Sequence, residues 1–390
     1  MHSAGADDAK DEYSINMAAQ DVMVERGLSR AVHLLEIHLQ NAPRDQEARC
    51  TLGIVQFLRA VEELGAGLYQ YGVRTNLTNA MFVRLPVPEN PQPAEINYRA
   101  FLRLIDGFST DLMEAEKNLA LIDDYKLKVP FNLSKVAFRF GGPNQEATKL
   151  FEVISKLRGT AFSAPQNNPE LLIKFDRGDV AWLRAYCHLL SGLIDVYHAY
   201  DSKEWFDGFA GRVFPRVLDE LSDVELDDLM EVRLVDPIRM NHFKQHFLAV
   251  CDLNAETWRH IRAETDDDYE WLPHPKQTDQ LGMPFSDDQI NNWLFMMEHV
   301  RGVLEGERLI PSTILMYLVP GKHEGNGFNV AKFLDDPPRN LNYERIVAEG
   351  IEPKYLEPEE GRELVDVMAL VRIGMAFSGP FGPLQALRLN

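Results

Sequence analysis

Between Val180 and Tyr200 apolar residues cover most of the circumference of a helix and leave only a narrow polar stripe. A helix so nearly apolar all round must be enclosed by other elements, so it is expected at the centre of a multi-helix assembly. At about 100° per residue, Arg184, His188, Ser191, Asp195 and His198 share a stripe about 80° wide. Trp182, Leu183, Tyr186, Leu189, Leu190, Leu193, Ile194 and Tyr197 cover most of the rest. A solvated face usually carries Lys and Glu. Arg, His, Ser and Asp together read as a narrow wet face, as a self-satisfying network that fixes the helix, or as the lining of a ligand or acid–base pocket. Asp179 is the expected N-cap, and Asp176-Arg177-Gly178-Asp179 reads as turn plus cap.

Helical periodicity extends along much of the chain. Helices are expected from Asp11 to Glu25, Leu28 to Gln40 and Gln46 to Tyr69, punctuated by Gly27 and the Ala42-Pro43-Arg44-Asp45 turn. Arg74 to Pro93 has four prolines in its last eight residues and reads as an extended connector. A long helix, Ile96 to Asp123, follows. Alternation in Lys126 to Phe140, closed by Gly141-Gly142-Pro143, suggests one small β-hairpin. Further helices are expected at Asn144 to Leu157, Trp205 to Ala210, Leu226 to Val232, Pro237 to Glu264, Asp287 to Glu307 and Glu359 to Phe377. Leu171 to Phe175 and Thr313 to Val319 are strand candidates, the second leading into the glycine-rich stretch Gly321 to Gly327.

In the first 70 residues, Ala18 and Ala19 supply small side chains on one helix, Ala31 and Leu35 match an A-x3-F spacing on the next, and Pro43 ends the unit. Thirty-four residues on, Leu52-Gly53, Gly65 and Tyr69 repeat those positions. This offset resembles the tetratricopeptide repeat. Arg49 and Gln56 stand where the motif has Trp and Tyr, His38 breaks an apolar position, and no proline closes the second unit. The resemblance implies a surface for a protein or peptide partner and no chemistry. The expected fold is therefore mainly α. Repeat-like helical hairpins over 1–75 and a connector over 76–94 precede a larger helical bundle over 95–390, with small β elements around 126–140, 171–175 and 313–319.

Forty Lys and Arg against 60 Asp and Glu give a net charge of -20. Such a surface repels phosphate backbones and anionic headgroups, so neither nucleic acid nor a membrane is an expected partner. The greasiest stretch is interrupted by Arg184, His188 and Asp195, which excludes a membrane span there. The acidic opening residues lack a secretory signal, so a cytoplasmic protein is expected, or an exported one if a signal has been trimmed. Cys50, Cys187 and Cys251 are widely spaced within apolar helical patterns and read as buried thiols.

His242 and His246 stand one turn apart and face one way, as two ligands of a zinc ion would, but no third ligand stands at a recognised spacing. No metal or cofactor is expected. Gly321 to Gly327 lacks both phosphate-binding glycine patterns and reads as a hairpin or lid loop. The acidic run Glu264 to Glu270 lacks the ligand alternation of a calcium loop and reads as a solvated helix end. No nucleophile-elbow, kinase or β-lactamase signature occurs. The leading expectation is a helical protein- or peptide-binding protein rather than an enzyme. The alternative is a small-molecule binding protein or hydrolase using the stripe Arg184, His188, Ser191, Asp195 and His198, with His242 and His246 beside it.

Overall fold

The computed structural model describes residues 14–75, 85–142, 145–158, 161–218, 231–282, 284–319, 323, 325–368 and 371. These residues are mainly α-helical. Helices α1 (Ile15–Arg26), α2 (Leu28–Asn41), α3 (Gln46–Gln70), α4 (Tyr98–Leu119) and α5 (Leu150–Arg158) precede the central α6 (Arg177–Ala199). Then come α7 (Lys203–Val213), α8 (Pro237–Ala263), α9 (Asp287–Glu305), α10 (Ser312–Leu318), α11 (Val330–Asp335) and α12 (Tyr343–Glu349). Among the described residues, no helix is long and apolar enough to cross a membrane.

Side-chain caps set several helix starts. Ser14 accepts from the Met17 N–H and Asp45 from the Ala48 N–H, each satisfying a donor that the first turn leaves open. At α6 the cap is Asp176, whose carboxylate accepts from the Asp179 N–H while Asp179 accepts from the Asp176 N–H. The acidic residue expected as the cap is thus the third residue of a capping box, one turn further in. Asp11 to Tyr13, at the expected start of α1, lie outside the described residues.

One core runs from the first helices into the middle of the chain. Ala19, Leu35, Leu52 and Val55 of α1 to α3 share it with Leu119, Phe131, Ile173, Val180 and Phe206. Gly53 marks a close approach: a Cβ there would run into the side chain of Leu119, so α4 lies directly against α3. The most extensive helix pair is α6 with α8. Gly192 permits it, since a Cβ at that position would already touch the His246 Cβ and the Phe247 ring at 3.1 Å.

The β structure is small and divided. Strands β1 (Lys128–Asn132), β2 (Ala137–Phe138), β3 (Thr148–Lys149), β4 (Leu172–Asp176), β5 (Tyr200–Asp201) and β6 (Glu231–Leu234) lie in the first two thirds. Strands β7 (Arg308–Leu309), β8 (Asn326–Phe328), β9 (Asn340–Asn342), β10 (Leu356–Pro358) and β11 (Glu363–Leu364) follow. The segment 126–140 does not fold on itself as a hairpin. A turn of 3-10 helix at Leu133–Lys135 separates β1 from β2, and β1 pairs antiparallel with the distant β4 while β2 pairs with β3. Consequently the helix expected from Asn144 starts only at Leu150.

Three other expectations change. The segment 313–319 is helix α10, because a short apolar run does not by itself distinguish strand from helix. Here the Val319 N–H donates back to the Leu315 carbonyl. Of the helix expected at Leu226 to Val232, residues 226–230 lie outside the described set. Glu231 and Val232 belong to β6, which pairs with β5 and β9. Glu359 to Asp366 is not helical: Gly361 adopts φ +76° and β11 pairs with β7. Helix is present at 367, 368 and 371, and 372–377 lie outside. The connector is described from 85 onward, where Val87 is buried in the main core; Asn76 to Arg84 lie outside. In the glycine-rich stretch, only His323 and residues from Gly325 onward are described.

Candidate functional site

The polar stripe of α6 is sandwiched between α4 and α8, and each of its ionisable members meets a partner there. Arg184 donates through Nε to Glu116 Oε1 at 3.0 Å, and His188 Nε2 lies 3.5 Å from the same oxygen. His188 Nδ1 faces His246 Nδ1 at 2.8 Å, with the rings tilted by 52°. On its far side His246 Nε2 lies 3.5 Å from Asp195 Oδ2, and Asp195 Oδ1 accepts from Arg239 Nη1 at 2.8 Å. Arg239 also lies 3.6 Å from Asp106 and 3.8 Å from Asp236. His198 Nε2 is 3.0 Å from Asp106, at ion-pair distance but off the line that a hydrogen bond requires. The result is a continuous seam of four helical turns: Arg184 and Glu116, the two facing imidazoles, Asp195 and Arg239, then Asp106 and His198.

The stripe is thus more than a wet face. Asp195 is 3 % exposed, and the side chains of Arg184, His188 and His246 are between 16 % and 18 % exposed, so the seam is mostly enclosed with its edge open to water. Burial alone would raise the Glu116 carboxyl, but the contact with His188 and the charge of Arg184 outweigh it and hold the group below the usual range. His246 is also lowered, here at the expense of its charge: burial, then the neighbouring His188, disfavour its charged form. Burial likewise lowers His198, with Asp106 opposing.

Hydrogen-bond accounting defines the imidazole pair further. Two Nδ1 atoms at 2.8 Å need one proton between them, and the two Nε2 atoms, 3.5 Å from carboxylates at ion-pair rather than hydrogen-bond distance, are each favoured by those charges to carry a proton. The arrangement that satisfies every contact places three protons on four ring nitrogens.

Ser191 of the same stripe is fully buried, and its Oγ has no hydrogen-bond partner among the described residues. His242 is exposed one turn before His246. No third imidazole, thiol or carboxylate among the described residues closes a ligand set around these two histidines.

Glu116, Asp106 and Arg239 were not evident as site residues in the sequence, although Glu116 left a signal. It interrupts the buried stripe of Leu112, Ala115 and Leu119 on α4, where a lone carboxylate needs a partner.

A second polar cluster lies at the start of α6. Oxygens of Asp176, Glu264 and Glu270 are all within 4.8 Å of one another, and Asp179 is buried beside them. The run Glu264 to Glu270 is therefore not wholly a solvated helix end. Asp266 and Asp268 pair outward with Lys128 and Lys174, whereas Glu270 is 1 % exposed. Burial, reinforced by Asp176, pushes Glu264 up to about 10, and burial pushes Glu270 up to about 7. Three oxygen ligands so placed suit a hard cation. Bound protons, the Gln277 amide on Glu264 and Lys128 near Glu270 moderate the same charge without one.

Away from both clusters, an apolar cavity of about 360 Å³ is lined by Phe328, Phe333, Leu341, Ile346, Ile351 and Tyr355 among others; no residue of the histidine seam reaches it. Comparison of the chain with protein-family models, with curated proteins and with solved structures finds no match.

Proposed function

We propose that this protein binds a small anionic molecule at the open edge of the α4–α6–α8 seam. The observation that carries this reading is the facing His188 and His246 pair with Arg184 one turn away. It concentrates imidazole and guanidinium donors at a mostly enclosed edge of a chain whose net charge is -20. Arg184 meets Glu116 Oε1 through Nε and Nη2, and its guanidinium is the fixed positive charge on the stripe of α6, beside the two imidazoles. Binding is favoured over hydrolysis because the hydroxyl on the stripe, Ser191, is fully buried and makes no contact with an imidazole that could activate it.

Titration of imidazole-labelled protein with acetate and with inorganic phosphate tests this reading. Signals of His188 and His246 should shift saturably with one or both anions, and Arg184→Ala should weaken the effect by about tenfold, the loss of one charge-assisted hydrogen bond. Unshifted imidazole signals at millimolar anion would refute it. A second reading, a helical interaction protein that engages a protein or peptide through its repeat-like first helices, is favoured by Met17 and Val24. These are exposed apolar residues two turns apart on α1, with Ile37 exposed on α2.

A further inference from the structure

The facing imidazoles have a limited capacity for protons, and that limit gives the seam a means of regulation. Three protons satisfy the four ring nitrogens of His188 and His246. A fourth would convert the last Nδ1 acceptor into a donor, leaving two N–H groups aimed at each other across 2.8 Å. Two donors cannot share that gap, so an acceptor must enter it. With N–H···O bonds of about 2.9 Å on each side meeting at one oxygen, the two nitrogens must separate by about 2 Å or more beyond their present 2.8 Å.

The groups that would meet an acceptor there are defined on all three helices. Glu116 comes from α4, Arg184 and Asp195 from α6, and His242, one turn from His246, from α8 with Arg239. The two carboxylates already face the outer Nε2 atoms, and Asp195 is also committed to Arg239. They are therefore not free to swing into the gap without abandoning those contacts. Water could bridge the two N–H groups, but an anion also compensates the added charge.

We propose that the seam is a proton-gated anion site: uptake of a fourth proton by the His188 and His246 pair opens the Nδ1 contact and admits one oxygen of a small oxyanion between the rings. This inference rests on the reading of the seam as an anion site and adds its regulation. The proton comes from solvent and is released again when the anion leaves and the rings close. Burial and mutual repulsion disfavour the extra charge on His246, which places the gate on the acid side of an ordinary histidine. By linkage, bound anion must raise the proton affinity of the pair by the same factor that protonation raises anion affinity.

Calorimetric titration of the full chain with sulfate at pH 5.5 and pH 8 tests this, because sulfate keeps the same charge throughout. Wild type should bind sulfate at least about tenfold more tightly at pH 5.5, with net uptake of protons on binding. The chain as a whole becomes less acidic at low pH, which favours any anion a little, so His246→Gln and His188→Gln supply the comparison. In either variant the pH dependence should fall to under about twofold. Two variants are used so that, if circular dichroism shows one of them unfolded, the other still supplies the comparison. Equal sulfate affinity at both pH values would overturn the gate while leaving the seam as an anion site. The same pH dependence in wild type and a folded variant would also overturn the gate. No sulfate binding at either pH, together with unshifted imidazole signals in acetate and phosphate, would overturn both.

Discussion

Replacing Asp195 by Asn tests how the seam is held together. The carboxylate is almost wholly enclosed, accepts a 2.8 Å hydrogen bond from Arg239 and faces His246 at 3.5 Å. Breaking a fully buried pair costs about 3 to 5 kcal/mol, and an exposed pair contributes about 0 to 1 kcal/mol. Arg239 lies between these limits, because its side chain is 31 % exposed and keeps Asp106 at 3.6 Å and Asp236 at 3.8 Å. Asn also retains one acceptor oxygen. The expected loss is therefore that of one charge-assisted hydrogen bond, about 1.5 to 3 kcal/mol. Urea unfolding at pH 7 measures it, and a double-mutant cycle with Arg239→Met should show that at least about 1 kcal/mol is shared between the two residues. A loss below about 0.5 kcal/mol, or additive effects, would show that Asp195 is not held by Arg239 and that the seam is not a coupled network.

Three further outcomes are expected. Gly53→Leu should overpack the contact with Leu119 and cost about 1 to 3 kcal/mol; unchanged thermal unfolding would contradict that approach of α4 to α3. Glu270 lies higher in the folded chain than in the unfolded one, so its contribution is fully present at pH 4 and drains away as the pH rises through about 7. Glu270→Gln keeps the oxygen that accepts from the Asp268 N–H and should be about 2 to 5 kcal/mol more stable than wild type at pH 9, at about 1.4 kcal/mol per pKa unit. It should match wild type at pH 4, and a variant less stable at pH 9 would refute the buried-carboxyl account. Cys50, Cys187 and Cys251 are buried, and burial pushes all three thiols up, Cys251 to about 11. Ellman's reagent should therefore find no fast-reacting thiol in the folded chain and three after denaturation; one rapid equivalent when folded would contradict the packing.

The stripe on α6 was legible in the sequence because the angular spacing of a helix alone places Arg184, His188, Ser191, Asp195 and His198 on one face. Its partners were not, since they depend on which faces of α4 and α8 dock against it. His242 and His246 illustrate the limit. Helical spacing gives both the same direction, yet only the docking of α8 at Gly192 decides that His246 turns inward while His242 stays exposed. The sequence locates helix α6 within a few residues, but it points to a cap one turn late, because Asp176 and Asp179 are both acidic and the capping box uses them reciprocally. The segment 313–319 reads as strand in the sequence yet forms α10, because its seven residues are too few to reveal a period. The pairing of β1 with β4 joins segments about forty residues apart, a contact that local alternation does not encode.

The contact between His188 and His246 joins the two halves of the seam. Imidazole nitrogen spectra of the folded chain near pH 7 report which ring nitrogens carry protons. The predicted result is one Nδ1 protonated and the other accepting, with coupling between the two Nδ1 atoms. Two independent rings, each protonated only at Nε2, would leave the Nδ1 atoms with no shared proton and would contradict the seam as described.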